Sequence, residues 1–182
     1  RSLVGLAPPS QGTIRVCEVD VATQTTLARQ LVTFVPKAVP LLPHLAGTEQ
    51  VRYLVALSGH AVTPRQVLTA LRLSGVPDRL MTQRTSSLQP IHRLGLWLAV
   101  CRLRNSPVLL LDDPTDELTR TDIEFATELI REVVTPERCV VITTGDETFA
   151  NRTGDAWYRV DQQTLVSGLL NSSSLPELFS AS

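Results

Sequence analysis

Two adjacent carboxylates, Asp112 and Asp113, stand at the end of the apolar run 108–111 in the stretch P-V-L-L-L-D-D-P-T-D-E-L, residues 107–118. Side chains of this type offer hard oxygen ligands to a cation or a proton acceptor to a nucleophile. What they can do depends on where the chain puts them. Four apolar residues are too few for a helix and do not alternate, so they predict a strand buried on both faces of a parallel sheet. The two carboxylates then leave at the carboxyl end of a central strand, where open α/β sheets place their ligands. Pro114, with no N–H for the ladder, stops the strand. Read without any further pattern, the same residues are a strand capped by solvated acids.

The elements that must position them fit in one domain. A chain of 182 residues is long enough to bury most of its apolar surface. Its formal net charge of -1 gives no global basic field, so no nucleic-acid partner is expected. With 43% hydrophobic residues, no apolar run approaches the length that crosses a bilayer, and the domain is expected to be soluble. Cys17, Cys101 and Cys139 lack C-x-x-C spacing and sit among apolar neighbours, which suggests reduced structural thiols in a cytosolic protein. His44, His60 and His92 have no metal-ligand spacing. The chain begins at Arg1 rather than Met, and its first residues read like the end of a helix.

Along the chain, prolines and a glycine over residues 7–12 mark a loop entering a strand over 13–16. Residues 33–35 form a short strand ended by Pro36, and Lys37 follows in a loop, where a lysine is ordinarily a solvated charge. Leu41, Leu42 and Leu45 are exposed or packed within the domain. Thr48 can cap a helix bearing Val51, Leu54 and Val55 and closed by Gly59. Thr63-Pro64-Arg65-Gln66 is a stronger start signal, with an N-cap, proline at the first helical position and the capping-box glutamine; Gly75 closes that helix. Pro90 opens a helix whose residues 91–103 are apolar nearly all round, so it is buried, with Trp97 as core. Thr121 and Glu124 form a capping box for a helix with Ile123, Ala126, Ile130 and Val133 inward, ended by Pro136. Residues 139–143 are a second buried strand, parallel to 108–111. Two short strands follow over 156–160 and 164–166, and a serine-rich, peripheral tail runs over 169–182.

V-L-L-L-D-D-P-T-D-E-L resembles the Walker B strand and D-loop of ATP-binding cassette (ABC) ATPases. L-V-G-L-A-P-P-S-Q-G-T-I-R-V, residues 3–16, is similar to the family's segment between the phosphate-loop helix and the next strand. The resemblance spans about residues 3–168 and implies an α/β fold of the P-loop NTPase kind: a mixed sheet flanked by helices, with a helical subdomain at about 47–90 inserted in a single domain, 1–182. It implies ATP and Mg²⁺ as cofactors, with Asp112 the metal-holding residue and Asp113 in the place of the catalytic base, where the family has Glu. Lys37 stands where the family has the Gln that reaches magnesium and the attacking water, and Gly145 where it has a γ-phosphate-contacting His. Residues 89–93 lie opposite the L-S-G-G-Q signature without its glycine pair, and Thr119 stands where the D-loop has Asp. The phosphate loop, G-x-x-x-x-G-K-[ST], is expected immediately before Arg1.

The implied partners are a membrane transport subunit and a second ATPase subunit, with the chain cytoplasmic, peripheral at the inner face of the membrane, and not inserted in it. Three readings follow. The altered motifs favour a degenerate ABC ATP-binding subunit or domain that couples to or scaffolds a transport complex with little or no hydrolysis of its own. The second is a fragment of an active ABC ATPase whose phosphate loop lies upstream, and the third an interaction module that binds no nucleotide.

Overall fold

The computed structural model of the chain describes residues 2–7, 9, 11–37, 41–161 and 164–169; the expected tail over 170–182 lies outside them. The chain forms two compact units, residues 1–143 and 144–182.

The first unit opens with a 3-10 turn over Ser2–Val4 and a hairpin of β1 (Arg15–Val16) and β2 (Val19–Asp20). Its two linking residues, Cys17 and Glu18, both take positive φ, the geometry that matches a two-residue turn to the twist of the strands. The expected strand over 13–16 is thus the first arm of a tight hairpin. Helix α1 (Thr25–Leu31) leads directly into β3 (Val32–Val35).

Then the chain turns helical: α2 (Gly47–Ala56), α3 (Pro64–Leu73), α4 (Asp78–Met81) and α5 (Pro90–Arg104), before β4 (Val108–Asp112). Helix α2 starts one residue before Thr48, and its cap is the Glu49 carboxylate accepting from the Ala46 N–H at 2.8 Å. Helix α3 begins as its residues dictate. The Gln66 N–H donates to Thr63 Oγ1, and the Thr63 N–H donates to Gln66 Oε1. Val51, Val55, Val67, Leu71, Leu96 and Val100 bury one face of each of α2, α3 and α5 in a common cluster, and Leu41 packs against it. Gly95 lets α5 lie against the end of α3, since a Cβ there would stand 2.6 Å from the Ser74 carbonyl oxygen.

Helix α6 (Arg120–Arg131) follows β4 and leads to β5 (Cys139–Thr143). Its cap is Thr119, whose Oγ1 accepts from the Asp122 N–H, not the expected Thr121 box; it ends at Arg131, before Pro136. The sheet order is β3-β4-β5, parallel throughout, with β4 central and Leu109, Leu110 and Leu111 buried. Helices intervene between successive strands of this sheet, the α/β arrangement expected of the chain. The strand β5 departs from expectation: Cys139, Val141 and Thr143 are exposed, with Val140 and Ile142 half-buried between them. Among the described residues it lies at the sheet edge, so its apolar types do not dictate full burial. Cys17 is exposed as well, leaving Cys101 as the buried thiol, pushed up to about 12 by desolvation.

In the second unit, α7 (Glu147–Thr153) is capped by Asp146, whose Oδ1 accepts from the Phe149 N–H at 2.9 Å. Strands β6 (Ala156–Asp161) and β7 (Thr164–Leu169) pair antiparallel. No helix among the described residues is long and apolar enough to cross a membrane.

Candidate functional site

Parallel pairing brings the carboxyl ends of three strands together. Val35 of β3 pairs with Leu111, and Asp112 pairs with Thr143 of β5. Carrying the β3–β4 register two residues past the strands sets Lys37 beside Asp113, and the side chains meet. Lys37 Nζ lies 2.8 Å from Asp113 Oδ2 and 3.0 Å from Asp116 Oδ1. The hydrogen bond to Asp113 is the main cause, and that to Asp116 the second, holding the ammonium well above the usual lysine range. Lys37 is therefore an engaged cation rather than a freely solvated one, although its side chain remains 45% exposed.

Asp112 takes a different partner. Thr143 Oγ1 donates to its Oδ1 at 2.6 Å. The Asp113 N–H in turn donates to the Thr143 carbonyl at 2.9 Å, and Asp113 takes a left-handed φ of 48°, which Asp adopts more readily than most residues. The chain past β4 curls at once: the Asp116 N–H donates to the Asp113 carbonyl, and that of Leu118 to Thr115. On the far side of this loop Arg93 of α5 stands 3.7 Å from Glu117. The segment 113–118 is thus tied by Lys37 at one end and Arg93 at the other.

Between the ties is a cavity of about 550 Å³, with Leu41, Leu94 and Trp97 on its apolar side and Lys37, Asp113 and Arg93 on its polar side. A volume in that range suits a small ligand. Trp97 is half-buried and lines this space, so it is not the plain core residue that its helix predicts. Residues 89 and 90 start α5, with Gln89 as N-cap and Pro90 at the first helical position. His92, on that first turn, keeps a buried Nδ1 with no protein hydrogen-bond partner, and desolvation, with Arg79 second, lowers its pKa.

Of the residues singled out from sequence, the structure gathers Lys37, Asp112 and Asp113. Gly145 belongs to the second unit, exposed in the turn before α7, where an added Cβ would meet nothing within 4 Å. The reading of the residues did not single out Thr143, the Arg93–Glu117 ion pair or the pairing of Asp116. Thr143 carried a usable signal, since a threonine closing a strand parallel to β4 can reach the side chain paired with it. Thr119, read against a D-loop Asp, does local work as the α6 cap. Among the described residues no group of three or more His, Cys, Asp or Glu side chains converges as a metal site.

Comparison with known proteins gives a consistent picture. The family described as ABC transporter matches residues 1–116. The chain is 28% identical over 151 residues to the ABC transporter ATP-binding protein Rv0073 of Mycobacterium tuberculosis, aligning 79% of this chain with 46% of that protein. It is 29% identical over 150 residues to the Nod factor export ATP-binding protein I of Paraburkholderia xenovorans, aligning 79% of this chain with 48% of that one. The chain thus spans about half the length of these curated relatives. The fold matches MJ0796, a bacterial ABC transporter cassette solved as a dimer, with a TM-score of 0.80 at 19% identity, covering 93% of this chain and 78% of that one.

Proposed function

The chain belongs to the ABC transporter family, and from that premise we propose that it is a degenerate ATP-binding subunit or domain, coupling to or scaffolding a membrane transport complex with little or no ATP hydrolysis of its own. The observation that carries this reading is the 2.8 Å bond from Lys37 to Asp113. A base must have a free lone pair within reach of the proton that it abstracts. In this arrangement one oxygen of the carboxylate in the base position instead accepts from an ammonium, which holds that oxygen away from a nucleophile's proton. Its side chain is also one carbon shorter than the family's Glu, a retreat of roughly 1.5 Å.

Asp112 fits Mg²⁺ as a hard oxygen ligand at the carboxyl end of the central strand, with one oxygen fixed by Thr143. Asp113 fits less well, since Lys37 occupies its Oδ2. Magnesium bound with ATP would supply charge neutralisation to the phosphates. Asp112 would hold that ion, while Gly145 and residues 89–93 present neither the His nor the glycine pair of the family pattern. On this reading residues 1–182 act as one domain with a helical subdomain at about 47–90, at the cytoplasmic face of a membrane. The partners are a transport subunit and a second ATPase subunit. Support for the pairing comes from the dimeric cassette of like fold.

The test is phosphate release at saturating MgATP by this chain and by its Asp113→Asn variant. Both are expected at background. Turnover that disappears in Asp113→Asn would make Asp113 a working base and overturn the reading.

A further inference from the structure

We propose that the amino end of the β3-β4-β5 sheet is a docking surface for an acidic polypeptide segment, built on Arg29, Arg104 and Arg138. It lies at the opposite end of the sheet from Asp112 and Asp113, and stands whether or not the chain hydrolyses ATP.

Topology lines the three arginines up. The strands are parallel and start in register, Val32 beside Val108 and Val108 beside Cys139. Arg29 stands in the last turn of α1 before β3, Arg104 in the last turn of α5 before β4, and Arg138 directly before β5. Each strand is thus entered past an arginine, and the row covers two strand spacings, roughly 10 Å. The remaining charges of the segments entering these strands are Arg102, Arg131, Glu128, Glu132 and Glu137, of which Arg102 and Glu132 pair at 3.0 Å. Arginines outnumber glutamates at this end, and the helix carboxyl ends offset part of the difference. The acids at the far end of the strands stand roughly 17 Å off, beyond the screening length, and do not cancel it.

Hydrogen bonds fix these guanidiniums without neutralising them. Arg29 donates through Nη2 to the Gly5 carbonyl at 2.8 Å and through Nε to that of Val4 at 3.3 Å. Arg104 Nη2 donates to the Arg29 carbonyl at 3.2 Å, which joins the two residues. Arg138 donates to the Ser106 and Val133 carbonyls at 3.1 and 2.8 Å and to Asn105 Oδ1. Every one of these acceptors is neutral, and among the described residues none of the three arginines forms an ion pair. Arg104 is half-buried, its Nε has no protein partner, and desolvation lowers its pKa. A cation so placed is uncompensated, and an anion brought beside it recovers part of the cost of its burial. Forks held in place suit carboxylates, which arginine takes bidentately. An extended segment with acids at alternate positions sets them roughly 7 Å apart on one side, within the length of the row. A bilayer instead rewards basic side chains free to snorkel, and these are tied down.

A fluorescein-labelled oligoglutamate peptide serves as the probe, its binding to the full chain read by fluorescence anisotropy at low salt. The unsubstituted chain is expected to bind it, and Arg29→Gln with Arg104→Gln to bind on the order of tenfold more weakly, the scale of two partly exposed ion pairs. Arg29→Lys with Arg104→Lys, which keeps the charge, is expected to retain most of the affinity. Should circular dichroism show that Arg104→Gln disturbs the fold, Arg29→Gln alone carries the test, since Arg29 is exposed, with an expected loss of about threefold. Arg65→Gln, on the exposed surface of α3, removes the same charge elsewhere and is expected to bind as the unsubstituted chain does. Vesicles of phosphatidylserine and phosphatidylcholine are expected not to sediment the chain. The proposal is overturned if the peptide does not bind at low salt, if Arg65→Gln weakens binding as much as Arg29→Gln, or if vesicles sediment the chain through the same two arginines.

Discussion

Thr143 donates a 2.6 Å hydrogen bond to Oδ1 of Asp112, its register partner across β4 and β5, and its own carbonyl accepts from the N–H of Asp113. One threonine at the end of β5 thus sets both the orientation of the first carboxylate and the backbone path of the second. Its hydroxyl has the capacity for this, with one donor for Asp112 and a lone pair 3.3 Å from the Asp113 nitrogen.

Thr143→Val keeps the branched shape and removes the hydroxyl. Since hydrogen bonds to charged groups contribute more than neutral ones but this one is partly solvated, the expected loss is about 1 kcal/mol of stability, read from urea unfolding. Thr143→Ser restores the bond and is expected to recover most of that loss. If Val and Ser variants unfold at the same urea concentration, the hydroxyl is not orienting Asp112.

Gly95 makes the opposite point about a helix interior. Replacing a helical glycine by alanine ordinarily gains about 1 kcal/mol. At Gly95 the new Cβ would stand 2.6 Å from the Ser74 carbonyl oxygen and 2.7 Å from Val76 Cγ2, and the first of these is backbone that cannot swing aside. Gly95→Ala is therefore expected to destabilise the chain by about 1–3 kcal/mol. Gly145→Ala is the control: its added Cβ meets nothing and its φ lies outside the left-handed region, so its stability should stay within about 0.5 kcal/mol. Equal unfolding midpoints for the two variants would contradict the close α3–α5 approach.

Local signals in the chain were legible where they completed themselves within a few residues. The α3 start needs only Thr63, Pro64 and Gln66, and the strand Cys139–Thr143 is bounded by a proline-containing turn and by a polar stretch. The β4 strand could be placed centrally because an unbroken apolar run ending in carboxylates needs cover on both sides. What escaped depends on distance along the chain. Lys37 and Asp113 are 76 residues apart, and their contact follows only once β3 is known to lie next to β4. Thr119 and Thr121 compete for one cap, and the choice is made by where the loop after Pro114 delivers the chain. Trp97 follows its helix pattern, yet the loops 41–45 and 113–118 stand far enough off to leave a cavity beside it.

His92 gives the molecule a dependence on pH whose sign is fixed by its surroundings. The buried Nδ1 has no protein partner, and desolvation is the largest cause lowering its pKa from 6.5, followed by the charge of Arg79; Asp122 opposes them. A histidine lowered on folding is held neutral, so the unfolded chain binds the proton more readily. Stability from this residue is then fully present above the unfolded pKa, begins to fall as pH drops through about 6.5, and keeps falling until the lower folded value is passed. Part of the ring remains solvated, which limits the effect to less than about 1 kcal/mol. Urea unfolding at pH 7.5 and 5.5 checks it: the native chain is expected to lose more stability between the two than His92→Gln, which cannot titrate. Equal losses in the two proteins would mean that the folded chain accommodates the imidazolium, and that Arg79 and burial do not act on it as their positions imply.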